Sequence, residues 1–167
     1  MEEELLSVVD ENDRVVGYRE RGEVHRLGLR HRAVHVLVFN HRGELFLQKR
    51  AMSKPENPGL WDSSAAGHVD HGEDYDACVV REVEEELGVL LTDTPQALFR
   101  IDSSPMTGME FIKVYRAAHD GPFELNRDEI DDGRWIEPKA LDTWIGEGAE
   151  GLTPPLVYIW QHVRNAE

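Results

Sequence analysis

The segment from Gly67 to Val89, GHVDHGEDYDACVVREVEEELGV, constrains the fold of this chain more than any other segment. Glu73 stands six positions after Gly67, and Arg81 stands eight positions after Glu73. Residues 75–87 contain neither glycine nor proline, and Gly88 follows them, as glycine commonly follows a helix C-terminus. We therefore predict a loop, a helix over residues 75–87, and a second loop.

Three glutamates share one face of the predicted helix. On a helix that advances 100° per residue, Glu82, Glu85 and Glu86 fall within an arc of about 100°. Their mutual repulsion costs roughly 0.2–0.5 kcal/mol per close pair on an exposed helix. Divalent cations would convert this repulsion into coordination, because Mg²⁺ prefers carboxylate oxygens. The adjoining arc, which should face the core, contains Asp76, Val79, Val80, Val83 and Leu87.

A solvated helix in any acidic chain can carry several glutamates, so the glutamates alone say little about function. The full pattern says more, because it also fixes Gly67, Glu73, Arg81, Gly88 and two aliphatic positions. For nine constrained positions drawn independently from this composition, a chance match is on the order of one in 10⁶. We therefore interpret the segment as a functional motif.

This motif resembles the Nudix box, Gx5Ex7REUxEExGU with U aliphatic, at every constrained position. The resemblance implies an α/β fold, a Nudix-type α/β/α sandwich with a mixed sheet. In that fold a loop–helix–loop catalytic motif holds Mg²⁺, or Mn²⁺ as a substitute, against a diphosphate. Glu82, Glu85 and Glu86 would then be metal ligands or the base that activates water, with Gly67 at the metal site. Glu73 and Arg81 would form an ion pair that holds the loop to the helix.

Two features of the implied site stay open at this point. The identity of the base varies among family members, so we assign it to none of the three helix glutamates. Other members place a further acidic residue in a later loop, for which Glu110, Asp128 and Glu129 are the candidates.

The resemblance extends beyond the motif to one branch of the family. The string HRAVHVLVFNHRGELFLQKRAMSKPENPGLWDSSAAGHVDHGE is similar to isopentenyl-diphosphate isomerases and to the hydrolases most like them. The isomerases carry a catalytic cysteine just before Gly-His, where this chain has Ala66. They also need two glutamates in a later strand, where this chain has Glu110 and Ile112. Alanine and isoleucine cannot transfer protons across a carbon double bond, so hydrolysis is favoured over isomerisation.

His25, His31 and His68 match three imidazoles that bind a metal in the isomerases, with a small departure in the spacing of the first two. The alternative is that they are loop and strand-end residues with ordinary hydrogen bonds. Because the isomerase chemistry is lost, we predict that the three histidines are a remnant. The essential metals are then expected on the helix glutamates.

A basic cluster, Lys49, Arg50 and Lys54, precedes the motif in an otherwise acidic chain. We predict that this cluster and His68 contact the phosphates of the substrate; the alternative is a solvated loop. Four aromatic residues offer rings for stacking on a base but are more typical of a core: Trp61, Phe111, Tyr115 and Trp135.

The rest of the chain alternates short β-type runs with turns. We predict strands near residues 5–9, 15–17, 34–39, 44–48, 97–101, 111–117 and 134–136, an irregular loop at 55–59 and a mixed segment at 60–69. Gly43 should take the left-handed turn position of a hairpin. Two helices should close the chain, the second starting at Thr153-Pro154-Pro155. Its core-facing stripe should contain Leu156, Ile159, Trp160 and Val163.

Composition limits the partners and the setting. The net charge of −15 disfavours nucleic acid and anionic membranes as partners, since both are polyanions. A small phosphorylated molecule, for which a nucleotide is our prediction, can still bind if metal ions lie between the charges. Cys78 is the only cysteine, which favours a reducing, cytoplasmic setting. The 167 residues show no repeat or linker, so we predict a single domain over 1–167.

Together these features predict Mg²⁺-dependent hydrolysis of a diphosphate linkage in nucleoside di- or triphosphates or related nucleoside diphosphate derivatives. Two alternatives remain: an isomerase of prenyl diphosphates, opposed by Ala66, and a non-catalytic ligand-sensing module, opposed by the intact motif. The sequence indicates neither the base, sugar and leaving group of the substrate nor the oligomeric state.

Overall fold

The computed structural model describes residues 4–166. Its strands are β1 (Leu5–Val9), β2 (Val15–Glu20), β3 (His31–Phe39), β4 (Leu45–Arg50), β5 (Trp61–Asp62), β6 (Ala65–His68), β7 (Gln96–Ile101), β8 (Glu110–Ala118) and β9 (Ile130–Ile136). Its α-helices are α1 (Arg21–Leu27), α2 (Tyr75–Leu87), α3 (Pro138–Gly146) and α4 (Pro154–Asn165). None of the described helices is long and apolar enough to cross a membrane. The predicted single domain includes residues 1–3 and 167, which lie outside the described residues.

Strand β3 is the centre of a mixed sheet. It runs parallel to β8 and antiparallel to β1, β4 and β6. Because side chains alternate along a strand, β3 sends Ala33 and Leu37 to a core formed with α3 and α4. Val34 and Val36 point the other way, into a core formed with α2. Helices therefore cover both faces of the sheet, which confirms the predicted α/β/α sandwich.

Helix α2 begins and ends close to the predicted residues, and helix α4 begins close to its predicted start. Asp74 caps α2 by accepting a hydrogen bond from the Ala77 N–H (2.8 Å), and Gly88 ends it with φ of 70°. Thr153 caps α4 by accepting from the Leu156 N–H at 3.2 Å. The predicted apolar stripe of α4 is buried: Leu156, Ile159, Trp160 and Val163.

Elements that depend on tertiary pairing differ from the prediction. Helix α1 was not predicted, because Val24 is the only residue that it buries and its sequence has no amphipathic period. Strand β9 begins at Ile130 rather than near Arg134. The Asp-Asp-Gly sequence at 131–133 is typical of a turn and was therefore not predicted as strand, but in the structure it pairs with β4. Gly133 in that segment lies under the Phe46 ring, where an added Cβ would not fit.

Candidate active site

Gly67 lies where strand β6 meets helix α2. The carboxyl group of Glu82 occupies the space that a Cβ at Gly67 would need. Glycine is required here for room, because the backbone at Gly67 does not adopt a positive φ. This close approach places the peptide of the first motif glycine directly against a helix glutamate.

Glu82 and Glu86 lie one turn apart on α2, and little of either is exposed: 12% of the Glu82 side chain and 5% of Glu86. Glu86 also accepts from Gln48 Nε2 at 2.8 Å and from the Ala66 N–H at 3.1 Å. Burial raises the pKa of Glu82 to about 7. Burial and the charge of Glu82 raise the pKa of Glu86 well above its usual range. Without a bound cation the pair therefore holds a proton near neutral pH.

Arg81 ties the loop before α2 to the helix. Its guanidinium donates to both carboxylate oxygens of Glu73, at 2.7 and 2.8 Å. The same group donates to Glu82 at 2.8 Å and to Glu85 at 3.1 Å, and its Nη2 donates to the His68 carbonyl at 3.1 Å. The predicted Glu73–Arg81 ion pair is present in this geometry. It fixes the orientation of the helix carboxylates before any ligand binds.

A cleft of about 140 Å³ opens beside these carboxylates. Most of the site residues predicted from the sequence line it: Gly67, Glu82, Glu85, Glu86, Arg50, Lys54, His68, Glu110 and Glu129. Glu85 is the most exposed of the three helix glutamates, with 54% of its side chain accessible. The cleft thus joins an acidic wall from α2 to basic groups from β4 and the loop after it.

Four of the predicted site residues do not line this cleft: Glu73 and Arg81, which form the ion pair described above, and Lys49 and Asp128. Lys49 alternates with Gln48 and Arg50 along β4, so its side chain points to the opposite face of the sheet. Asp128 lies in an exposed turn, where its N–H donates to Asn126 Oδ1 at 3.1 Å. Phosphate contact by Lys49 and an acidic role for Asp128 therefore stay predictions, and the positions of these two side chains do not favour them.

The remaining candidate acids have different surroundings. Glu129 forms an ion pair with Lys54 at 2.6 Å across the mouth of the cleft. Glu110 lies deeper, with its Oε1 atom 3.8 Å from His68 Nε2. Burial raises the pKa of Glu110 to about 8, so this carboxyl is largely protonated at neutral pH. Glu110 can therefore donate one proton, and after losing that proton it can serve as one further metal ligand.

The three predicted histidines converge. Their ring centroids are 5.3 Å apart in each pair, and one donor atom from each lies within 4.8 Å of the others. The Leu29 carbonyl accepts from His31 Nδ1 at 2.8 Å, which leaves the lone pair of the ring on Nε2. Among the described residues, His31 Nε2 is the only buried side-chain nitrogen or oxygen without a hydrogen-bond partner.

Both groups of residues fit divalent cations, but of different kinds. The oxygen atoms of the α2 pair suit Mg²⁺, and a cation there would replace the shared proton. The orphaned nitrogen of His31 and its two neighbours suit Mn²⁺ or Zn²⁺, which bind imidazole better than Mg²⁺ does. The geometry alone therefore does not support calling the histidines a remnant, and that prediction remains to be tested.

Several residues at the cleft carry no sequence signal that we used. Gln48 on β4 is buried, and its side chain donates a hydrogen bond to Glu86. A polar residue at a core-facing position of a strand is a sequence signal that could have identified it. Arg21, His35 and Asp62 also line the cleft. Of the predicted core aromatics, Phe111 and Tyr115 are fully buried, and Trp61 and Trp135 pack partly buried against the two cores.

Comparison with known proteins agrees with this geometry. The NUDIX domain family matches residues 29–155. An uncharacterized Nudix hydrolase of Pseudomonas aeruginosa is 37% identical over 139 residues, which cover 81% of this chain and 80% of that protein. An isopentenyl-diphosphate delta-isomerase of Rhodobacter capsulatus is 37% identical over 151 residues, which cover 86% and 85% respectively.

One solved structure shares nearly the whole fold. The crystal structure of a Deinococcus radiodurans protein superposes with a TM-score of 0.83 at 31% identity, covering 95% of this chain and 98% of that one. Hydrolases and isomerases both occur among the named relatives. Overall similarity therefore does not distinguish the two activities, and the distinction depends on the residues of the site.

Proposed function

Because the chain belongs to the Nudix hydrolase family, as a pyrophosphohydrolase of the general kind, we propose that its reaction is Mg²⁺-dependent hydrolysis of a nucleoside diphosphate linkage. The substrates would be nucleoside di- or triphosphates or related nucleoside diphosphate derivatives. Water attacks phosphorus, and the leaving group departs as a phosphate or a phosphomonoester. The acidic chain and its single cysteine support a cytoplasmic setting with a small phosphorylated partner.

The observation that carries this proposal is the buried Glu82–Glu86 pair at the wall of the cleft. A structural role would be served better by an apolar pair, since burying two carboxyl groups costs several kcal/mol unless they are compensated. Arg81 donates to Glu82, and Gln48 and the Ala66 N–H donate to Glu86, but among the described residues no cationic side chain forms an ion pair with Glu86. A divalent cation bound on the cleft side would neutralise the charge of the diphosphate and acidify the attacking water.

The protein groups divide the remaining tasks. Arg81 holds Glu82 and Glu85, while Gln48 and the Ala66 N–H hold Glu86, so the carboxylates do not have to reorganise during the reaction. A helix carboxylate that is not engaged by cations takes the proton of the attacking water. Arg50 and Lys54 bind phosphate oxygens, and Lys54 exchanges its bond with Glu129 for one with the substrate.

The isomerase alternative lacks two of its groups. Ala66 has no thiol, and its N–H is already donated to Glu86. Ile112 is buried in the core beneath α4, so no glutamate faces the cleft from that position of β8. We therefore expect no interconversion of isopentenyl and dimethylallyl diphosphates. Exchange of label from heavy water into the allylic carbon above a no-enzyme control would contradict this.

A substrate screen tests the proposed reaction directly. Phosphate release is measured over nucleotides, sugar nucleotides, dinucleoside polyphosphates and prenyl diphosphates with Mg²⁺ or Mn²⁺. We expect turnover of at least one nucleoside diphosphate compound and none without added metal. Inactivity across all of them would overturn the proposal and favour the ligand-sensing alternative.

The histidine cluster is expected to be dispensable for this reaction. We propose that the double variant His25→Gln with His31→Gln retains Mg²⁺-dependent turnover within tenfold, because the required oxygens lie on α2. The wild type should bind Mn²⁺ or Zn²⁺ at the cluster and release it only when the pH falls well below 6.5, because burial lowers the pKa of His31 to about 4 and that of His68 well below its usual range. The double variant should not bind these ions there. Calorimetric metal titration and turnover in metal-stripped buffer check both points. Collapse of Mg²⁺ turnover in the folded double variant would show that the cluster is used.

A further inference from the structure

The N-terminal hairpin, which β1 and β2 form over residues 5–20, carries a buried carboxylate in its turn. This carboxylate belongs to Asp13, and only 6% of the side chain is exposed. It accepts hydrogen bonds from Arg32 Nε at 2.7 Å, from the Tyr75 hydroxyl at 2.7 Å and from Arg100 Nη1 at 3.2 Å. The three donors come from β3, α2 and β7. The turn of the hairpin is therefore bonded to the helix that carries the motif glutamates.

Tyr75 transmits the position of the hairpin to α2, because it is the first residue of that helix. Burial and the hydrogen bond to Asp13 raise the pKa of Tyr75, so its hydroxyl remains a donor at neutral pH. The Arg32 guanidinium lies over the Tyr75 ring, 4.9 Å from its centre. Glu82 follows seven residues later, about 10 Å along the same helix.

The hairpin also holds the loop that precedes α2. The Leu5 carbonyl accepts from the His71 N–H at 2.8 Å, and the rings of Tyr18 and His71 stack with their centroids 4.2 Å apart. Two residues after His71, Glu73 forms the ion pair with Arg81. The hairpin thus contacts the loop–helix motif at two points, namely in its loop and at the start of its helix.

Hydrogen bonds at the start of α2 add precision that apolar packing lacks. Hydrophobic contacts between α2 and the sheet are non-directional, so they tolerate a small slide or rotation of the helix. The site tolerates less, because the Glu82 carboxyl fills the space beside Gly67. A displacement of 1 Å can lower a rate by about 10²-fold.

We propose that Asp13 is a positioning residue for the hydrolysis, and that it acts through Tyr75 by fixing the place of the α2 carboxylates. This inference rests on the proposed function and adds to the site a hairpin of which no residue lines the cleft. Arg50 and Lys54 lie on β4 and the loop after it, so they keep their places when α2 shifts. Loss of the Asp13 bonds should therefore reduce turnover and cation binding more than substrate binding.

Asp13→Asn separates positioning from stability. Asparagine tolerates the backbone of Asp13, whose φ is 60°, but its single amide oxygen cannot serve all three donors. Asp142→Asn is the matched control, since Asp142 also accepts from several donors, on Arg164 and Trp160, and does not line the cleft. Urea unfolding gives the stability of each variant. The kcat and KM at saturating Mg²⁺, and the Kd of Mg²⁺ alone by calorimetry, report on the site.

Both variants should lose stability, but only Asp13→Asn should lower kcat at least tenfold and weaken Mg²⁺ binding at least threefold, with KM within threefold. A loss of stability with kcat and Mg²⁺ affinity within twofold of wild type would show a merely structural role and overturn the assignment.

Tyr75→Phe decides if Asp13→Asn does not fold, because it removes only the hydroxyl that donates to Asp13. It should lower kcat at least threefold and weaken Mg²⁺ binding at least twofold, and unchanged values would overturn the assignment. If the wild type hydrolyses none of the screened compounds, the proposed function fails, and the Mg²⁺ affinities still decide the role of Asp13. Absence of Mg²⁺ binding by the wild type would overturn both.

Discussion

Glu86→Gln is expected to lower turnover by 10²-fold or more. The substitution preserves the shape of the side chain but removes the charge needed to bind a cation or to accept a proton from water. Glu86 is also the best-fixed of the three helix glutamates, through Gln48 and the Ala66 N–H. We expect a loss of similar size for Glu85→Gln, and steady-state kinetics of both variants measure the two losses.

Glu84→Gln is the matched control. Glu84 is exposed on the same helix and does not line the cleft, so its turnover should stay within twofold of wild type. Circular dichroism and thermal unfolding show whether each variant is folded. Near-wild-type turnover by Glu85→Gln and Glu86→Gln would remove the helix carboxylates from the mechanism.

Gly67→Ala is expected to impair both the fold and the reaction. The added methyl group would occupy the position of the Glu82 carboxyl, so strand β6 or helix α2 has to shift. Overpacking of this kind costs typically about 1–3 kcal/mol of unfolding free energy. A shift of even 1 Å in the carboxylates can cost about 10²-fold in rate. Urea unfolding and turnover measure the two effects.

Two further variants test the reason for this effect. Gly146→Ala is the control, because nothing lies within 4 Å of a Cβ added there and its φ is not positive. Adding Glu82→Ala to Gly67→Ala removes the overlapping carboxyl and should restore stability but not activity. A stable, active Gly67→Ala variant would show that the close approach of Gly67 to Glu82 is not required.

The elements that the sequence predicts well are those whose signals are local. Helix α2 and its cap are local, since Asp74, Gly88 and the apolar period lie within the segment that they define. The packing of α4 was predictable for the same reason. The spacing of Gly67 and Glu82 indicates that both belong to the motif. It does not predict their contact, which forms only when β6 pairs with β3.

The rest of the site depends on pairing between distant strands. His25 reaches the cluster through α1, which buries little and has no period of its own. Gln48 and Lys49 are adjacent polar residues, and only the register of β4 directs one to Glu86 and the other away from the cleft. His35 on β3 and Asp62 on β5 line the same cleft although they are far apart in the sequence, and no local spacing encodes this.

Hydrolysis in water enriched in ¹⁸O tests the central claim most directly, namely that the α2 carboxylates would hold Mg²⁺ for an attack of water at phosphorus. The metal-stripped enzyme is given a nucleoside diphosphate compound that the screen identifies, with and without Mg²⁺, and the products are weighed by mass spectrometry. We predict one ¹⁸O in a phosphate-bearing product, only when Mg²⁺ is present, and at least 10²-fold less product from Glu86→Gln. Label on a carbon-bound hydroxyl with no label on any phosphorus, or turnover that continues in chelator, would contradict it.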